Sequence, residues 1–172
     1  FVGMRIAIRR PELLKSLVLI DTSADAETKN KLTQYNLLLK TVNLVGWRPV
    51  IGRVMSILFN EEFLEDSQRQ AEVKKWRGII SGHNTKAVTA FANAIFRRGS
   101  VVDQLGDIKV PAVVIVGKHD AATPPTHSQT IADHMHDTRL RIIPDAGHSA
   151  GVEKPRAVTE AMRGFYERLG DL

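Results

Sequence analysis

The sequence contains no cysteine among its 172 residues. This absence excludes a disulfide framework, a thiolate nucleophile and a zinc site built on thiolates. It also suits a reducing compartment, and we therefore expect the protein to be cytoplasmic. Long apolar runs are missing as well, because no stretch approaches the roughly 18 residues that a membrane-spanning helix needs. We expect no membrane partner.

Strong clusters of charge are also lacking. The net charge is +5 and the pI is about 9.7, but the basic residues form only short groups on separate segments, such as Arg9-Arg10, Lys74-Lys75 and Arg97-Arg98. No zinc-finger or RNA-recognition motif accompanies them. We interpret the charge as a general property of the surface and expect no nucleic-acid partner.

What the sequence does contain is an alternation of short apolar runs and longer helical patterns. Hydrophobic residues make up 43% and charged residues 25%, as in an ordinary globular protein. Apolar runs at residues 17–20, 112–116 and 140–143 are typical of strands, and we expect the first to be buried on both faces. The alternation predicts an α/β fold with three parallel strands and right-handed crossovers.

The segment between the first two strands is unusually long. Residues 24–105 carry the apolar periodicity of about four helices, far more than a crossover connection requires. We expect this segment to form a helical lid over the carboxyl edge of the sheet. The core would then consist of residues 1–23 and 106–172.

Several helix starts are marked by residues that can cap them. Asp66 or Ser67 is predicted to cap the third helix of the lid, and Thr85 the fourth. Thr123 is predicted to cap the helix after the second strand, with Pro124 at its first position.

Two loops that follow predicted strands carry the candidate catalytic residues. Asp120 comes just after the second strand, and His148 comes just after the third. Loops after neighbouring parallel strands open at the same sheet edge, where open α/β sheets bind their ligands. We therefore expect Asp120 to orient His148 as a general base, a role that suits an imidazole with an unperturbed pKa of about 6.5.

Other residues near these strand ends compete for the same roles. Asp21 also ends a strand and is the main rival to Asp120, although we interpret it as a turn or cap residue. Asp145 is interpreted as shaping the turn before the histidine. Ser23 and Ser149 are the candidate nucleophiles within the chain, but neither lies at a strand–turn–helix elbow, so we interpret both as bystanders.

The remaining histidines of this region give no metal motif. His134 and His136 are two residues apart and so do not share a helical face. Together with His119 and His127 we interpret them as surface residues, and we expect neither a metal nor an organic cofactor.

Three segments in order resemble the carboxyl-terminal half of the α/β-hydrolase fold family. The first resembles the helix and strand that follow the family's nucleophile elbow, the second its acid loop and the third its histidine loop. The resemblance covers the whole chain and is strongest to 3-oxoadipate enol-lactonases, small esterases and cofactor-free haloperoxidases. The segments are FVGMRIA with RPELLKSLVLID (residues 1–7 and 10–21), GKHDAATP (117–124), and AGH with EKP (146–148 and 153–155).

This resemblance implies a nucleophile, Ser or less often Asp, about four residues before Phe1, where the family's G-x-S-x-G elbow would open the first helix. The one G-x-S-x-G match in residues 1–172, GHSAG at 147–151, contains the bystander Ser149 and does not lie at such an elbow. We therefore expect the chain to begin inside a longer protein, with the missing N-terminal half as its partner. Asp120 and His148 would complete a Ser-Asp-His triad that hydrolyses a small apolar carboxylic ester or lactone. The chain alone would then be inactive and poorly soluble.

Two questions stay open at the level of sequence. Homo-oligomer formation is one of them. The other is a competing hypothesis in which the same scaffold is a non-catalytic small-molecule binding protein. The residue four positions before Phe1 discriminates, because Ser or Asp there favours the enzyme and Gly or Ala favours the binding protein.

Overall fold

A three-stranded parallel sheet is the centre of the computed structural model, which describes residues 1–170. The strands are β1 (Leu17–Ile20), β2 (Ala112–Gly117) and β3 (Thr138–Ile143), in the order β1-β2-β3. Their first residues lie side by side, with Ala112 paired to both Leu17 and Thr138. The predicted α/β class with parallel strands is confirmed.

Helices occupy most of the chain between the strands. Five α-helices lie between β1 and β2, where about four were predicted. The additional one is a short helix after Asn60, which follows the second helix of this segment. No helix within residues 1–170 combines the length and the apolar character needed to cross a bilayer. The α-helices are α1 (Val2–Arg9), α2 (Lys29–Val45), α3 (Ile51–Leu58), α4 (Glu61–Glu65), α5 (Gln70–Gly82), α6 (Thr85–Phe96), α7 (Pro125–His134), α8 (Ala150–Glu153) and α9 (Pro155–Leu169).

Two of the predicted lid caps can be compared with the structure. The Asp66 side chain accepts a hydrogen bond from the N–H of Gln68 and caps the 3₁₀ turn that leads into α5. The prediction for α6 is wrong by one residue, because Asn84 rather than Thr85 accepts from the N–H of Ala87. Asparagine and threonine are both favoured at this position, so sequence alone did not separate the neighbours.

The chain forms two compact units. The first contains residues 1–25, 57–60 and those from 100 onward, and the second contains residues 26–56 and 61–99. Residues 57–60, predicted as part of the lid, therefore belong with the strands. The reason is a buried contact, since the N–H of Asn60 donates to the Glu153 carboxylate at 2.9 Å. The role of the second unit as a lid stays a prediction.

The core of the first unit surrounds β2, whose six residues are all buried. One apolar cluster packs Val114 against α1 and α7, through residues such as Met4 and Ile131. The other packs Val113 and Ile115 against Phe165 of α9. The sheet is therefore covered by helices on both faces, as expected for parallel strands.

The first strand departs from its prediction. Ile20 is 37% exposed and Val18 is only half-buried, so β1 is not buried on both faces in this structure. Within residues 1–170, β1 has a sheet neighbour on one side only, since the strand order is β1-β2-β3.

The second unit is held together by contacts between its own helices. Tyr35 of α2 stacks on Phe96 of α6, with ring centroids 5.0 Å apart. The amide of Asn43 donates to the Thr89 hydroxyl at 2.9 Å between the same two helices. These contacts make α2 and α6 a packed pair.

Candidate active site

The carboxyl ends of β2 and β3 bring Asp120 and His148 together. Nδ1 of His148 lies 2.9 Å from Oδ2 and 3.1 Å from Oδ1 of Asp120. The two loops are joined by backbone bonds, in which the N–H of His119 donates to Ala146 at 2.8 Å and that of Lys118 to Ile143 at 2.9 Å. The contact expected from strand order is therefore present in the folded chain.

The Asp120 carboxylate is fully buried, and both of its oxygens accept hydrogen bonds. Its side chain is 0% exposed, whereas that of His148 is 24% exposed. Oδ1 accepts the N–H groups of Ala122 and Thr123 at 2.9 and 2.8 Å. These donors fix the carboxylate so that it can accept the Nδ1–H of His148. The tautomer that results leaves the Nε2 lone pair to take up a proton.

Thr123 is a site residue that the sequence analysis assigned to another task. It was predicted to cap α7, but that helix begins at Pro125 and has no side-chain cap. The Thr123 hydroxyl donates to Oδ2 of Asp120 at 2.9 Å and lies 3.3 Å from Nδ1 of His148. The sequence signal for this contact would have been a threonine three residues after an aspartate in a tight turn.

Glu153 holds the histidine loop from the other side. It is 2% exposed, and its Oε1 accepts the N–H groups of Gly147 and Ser149 at 3.0 and 3.2 Å. Those two residues flank His148 directly. Because a buried carboxylate is tolerated only when it is well partnered, these bonds account for its place in the core. In the sequence, Glu153 stands out only as part of the EKP segment at residues 153–155.

Two glycines allow the loops to approach each other. A Cβ on Gly117 would lie 2.1 Å from the carbonyl oxygen of Gly147 and 2.4 Å from that of Ala146. A Cβ on Gly147 would lie 2.7 Å from the backbone nitrogen of Asn60. The acid loop and the histidine loop thus pack backbone against backbone, which only glycine permits at these points.

Asp21, the rival acid, has a different set of partners. Its Oδ1 accepts the N–H of Gly117 and its Oδ2 accepts the N–H of Ala150, both at 3.0 Å. Burial is the largest cause that raises the pKa of Asp21 to about 7, and the negative charge of Asp120 adds to it. The residue that contacts Nδ1 of His148 is therefore Asp120, and Asp21 binds backbone groups of both loops.

A second histidine–aspartate contact corrects the prediction for His127. This residue was predicted to be a surface histidine, but its Nδ1 lies 2.8 Å from Oδ2 of Asp25 and 3.0 Å from Oγ of Ser23. Both partners share one nitrogen, whereas a triad needs the acid on one nitrogen and the nucleophile on the other. Ser23 is also only 1% exposed. The cluster therefore does not resemble a second catalytic triad.

The other candidates lie apart from this chemistry. His119, His134 and His136 are exposed, as predicted, and Asp145 is exposed in the turn after β3 with φ of 52°. Ser149 directly precedes α8 and donates its N–H to the Glu153 carboxylate. Within residues 1–170, no three His, Asp or Glu side chains come close enough to hold a metal ion.

Comparison with known proteins agrees with this architecture. The sequence matches the model of the Ndr family over residues 1–172. The 3-oxoadipate enol-lactonase 2 of Acinetobacter baylyi is 24% identical over 167 residues, which are 97% of this chain and 60% of that enzyme. The family match and this relative confirm the resemblance to the α/β-hydrolase superfamily, whereas its assignment to the carboxyl-terminal half stays a prediction.

Solved structures give the same picture. A thermophilic esterase from Thermogutta terrifontis superimposes with a TM-score of 0.85 at 25% identity, covering 97% of this chain and 61% of the esterase. The enol-lactonase from Burkholderia xenovorans has the same fold, with a TM-score of 0.85 at 21% identity over 96% of this chain and 61% of its own. The chain thus spans about three fifths of the length of these relatives.

Proposed function

The chain belongs to the Ndr family, and from this and its paired loops we propose that it is part of a serine-type hydrolase of carboxylic esters or lactones. The observation that carries the proposal is the 2.9 Å contact between Nδ1 of His148 and the enclosed carboxylate of Asp120. Asp120 is the acid and His148 the general base of a Ser-Asp-His triad. The enol-lactonase and esterase among the relatives support this substrate class.

The nucleophile is proposed to lie upstream of residue 1. Two observations support this position. The relatives are longer than the chain. The one G-x-S-x-G match in residues 1–172, at 147–151, contains His148 itself, and its Ser149 comes six residues after the end of β3 rather than at a strand–turn–helix elbow. The N-terminal half of the same protein would then be the partner that supplies the serine. Residues 1–172 alone would have no hydrolase activity.

The proposed reaction uses His148 twice. The serine oxygen attacks the ester or lactone carbonyl while Nε2 of His148 takes the serine proton, and the same proton then goes to the leaving oxygen as the acyl-enzyme forms. Water attacks the acyl carbon in the second half, again losing a proton to Nε2, and the serine regains it as the acid departs. Asp120 stays ionised and holds the imidazole in one tautomer throughout.

A fluorophosphonate probe tests the proposal directly. The full-length protein, with the residues upstream of Phe1, is expected to gain one probe mass on its upstream serine and to hydrolyse p-nitrophenyl acetate. Replacing His148 by Ala should abolish both, whereas replacing His119, an exposed histidine of the acid loop, should change neither. Residues 1–172 alone should not be labelled.

The opposite outcome identifies the competing function. A folded full-length protein that takes up no probe and hydrolyses no ester, and that has Gly or Ala four positions before Phe1, would contradict the hydrolase. The remaining interpretation would then be that the protein binds a small molecule without catalysing a reaction.

A further inference from the structure

A third carboxyl group, that of Asp21, binds the two loops that carry Asp120 and His148. Resting on the proposed hydrolase, we propose that Asp21 is a positioning residue that ties the acid loop to the histidine loop and tunes the pair through its charge. The proposal stands on the hydrogen bonds and backbone conformation of Asp21, described next.

One carboxyl group spans both loops. Oδ1 of Asp21 accepts the N–H of Gly117, three residues before the acid, and Oδ2 accepts the N–H of Ala150, two residues after the histidine. Its own N–H donates to Ile115 of β2 at 2.9 Å, which anchors the residue to the central strand. Asp21 therefore fixes the distance between the two loops from a third point of the sheet edge.

The backbone of Asp21 is held in an unfavourable conformation. Its φ is 46°, in the left-handed region that costs free energy for residues other than glycine. Asp145 also follows a strand and has φ of 52°, but it is exposed in a turn. An exposed aspartate such as Asp145 is therefore sufficient to form a turn of this kind. Asp21 differs because both oxygens of its largely buried carboxylate accept hydrogen bonds.

Asp21 acts on the Asp120–His148 pair through its charge as well as through its geometry. The carboxylate of Asp120 and the imidazole of His148 are the charged groups whose fields reach Asp21. This interaction is reciprocal, so an ionised Asp21 favours the imidazolium form of His148. Loss of that charge is expected to make His148 a weaker base with a lower pKa.

The test compares Asp21→Asn with Asp145→Asn in the full-length protein. Asparagine has the same size but cannot ionise, and it offers one acceptor where the two loop N–H groups need two. We expect Asp21→Asn to lower kcat about tenfold with little change in KM, because it disturbs positioning rather than binding. The midpoint of the acid limb of kcat/KM should move to lower pH by at most about half a unit, because Asp21, with a pKa of about 7, is only partly ionised where an imidazole titrates. Asp145→Asn should leave both unchanged.

A measurement that needs no activity separates this inference from the proposed function. The NMR titration of the His148 imidazole should give a lower pKa in Asp21→Asn than in the wild type, by at most about half a unit. If His148 titrates identically in the two proteins, the inference is overturned even when the hydrolase is active. If the shift is found but no ester is hydrolysed, the hydrolase fails and the positioning role stands.

The wild-type protein provides a second measurement in case the variant does not fold. The amide protons of Gly117 and Ala150 should titrate together with one midpoint near pH 7, because both donate to the same ionising carboxyl. Separate midpoints, or no titration of either amide between pH 5 and 9, would contradict a shared carboxyl clamp.

Discussion

The first unit holds two histidine–aspartate pairs that look alike at the point of contact. Nδ1 of His148 is 2.9 Å from Asp120, and Nδ1 of His127 is 2.8 Å from Asp25. A hydroxyl group lies near the same nitrogen in each pair, at 3.3 Å in the first and 3.0 Å in the second. Distance alone therefore does not tell a catalytic pair from a structural one.

The difference lies in the surroundings of the acid. The side chain of Asp120 is 0% exposed and accepts two backbone N–H groups, whereas that of Asp25 is 36% exposed. His148 lies in a loop after a strand, but His127 lies in the first turn of α7. The comparison shows that burial and position of the acid, more than contact with a histidine, favour the first pair as the site.

Removal of each histidine is the strongest test of this comparison. In the full-length protein, His148→Ala is expected to lower kcat/KM for p-nitrophenyl acetate by about 10⁴, because the general base is lost. His127→Ala should keep kcat/KM within about threefold of the wild type. Steady-state kinetics at pH 7.5 measure both. Equal losses in the two variants would mean that the pairs do not differ in function.

Removal of the negative charge from each acid is expected to have the next largest effect on kcat/KM. Asp120→Asn is expected to lower kcat/KM by about 10³, because an asparagine amide favours the wrong tautomer of His148. Asp25→Asn should change kcat/KM less than threefold, since its carboxylate is partly solvated. The same assay, with circular dichroism to verify folding, measures the difference. A loss of activity confined to Asp25→Asn would reverse the assignment.

The fold could be predicted from the sequence further than the site. Three apolar runs bounded by polar residues were enough to predict three parallel strands, and strand order placed Asp120 and His148 at one edge. The burial of β1 on both faces is not found within the described residues, because the exposure of Val18 and Ile20 depends on which elements pack beside the strand. Local pattern determines the type of an element, whereas its neighbours determine its burial.

The supporting residues of the site could not be predicted in the same way. Glu153 lies in a sequence motif, but its bond to the N–H of Asn60 joins residues 93 apart, which no local pattern reports. The contact between His127 and Asp25 spans 102 residues for the same reason. Asp21 was interpreted as a turn residue, which its φ supports, but its role in joining two loops depends on tertiary structure.

The first pair also differs from the second in its dependence on pH, through Asp21. Burial raises the folded-state pKa of Asp21 from 3.8 to about 7, so the folded protein binds more protons than the unfolded chain between these values. The contribution of Asp21 to the free energy of unfolding is therefore greatest below pH 4 and is lost as the pH rises through 7. We expect a loss of about 3 kcal/mol between pH 4.5 and 7.5, roughly three quarters of the full linkage.

Urea denaturation across this pH range measures the effect. The difference in unfolding free energy between wild type and Asp21→Asn should change with pH, whereas the difference between wild type and Asp145→Asn should stay constant. A parallel pH dependence in all three proteins would show that another group is responsible.

The two hydroxyl groups give the smallest and sharpest contrast between the pairs. Thr123→Val keeps the shape of the side chain but removes the bond to Oδ2 of Asp120, so the carboxylate loses one of the donors that orient it. We expect kcat/KM to fall about fivefold, equivalent to roughly 1 kcal/mol, the usual net value of one such bond. Ser23→Ala removes the corresponding hydroxyl of the second pair and should reduce stability by a similar amount without changing kcat/KM.

If both substitutions lower stability but leave kcat/KM unchanged, Thr123 contributes only to the packing of its loop. If Thr123→Val lowers kcat/KM alone, the hydroxyl is part of the apparatus that orients His148.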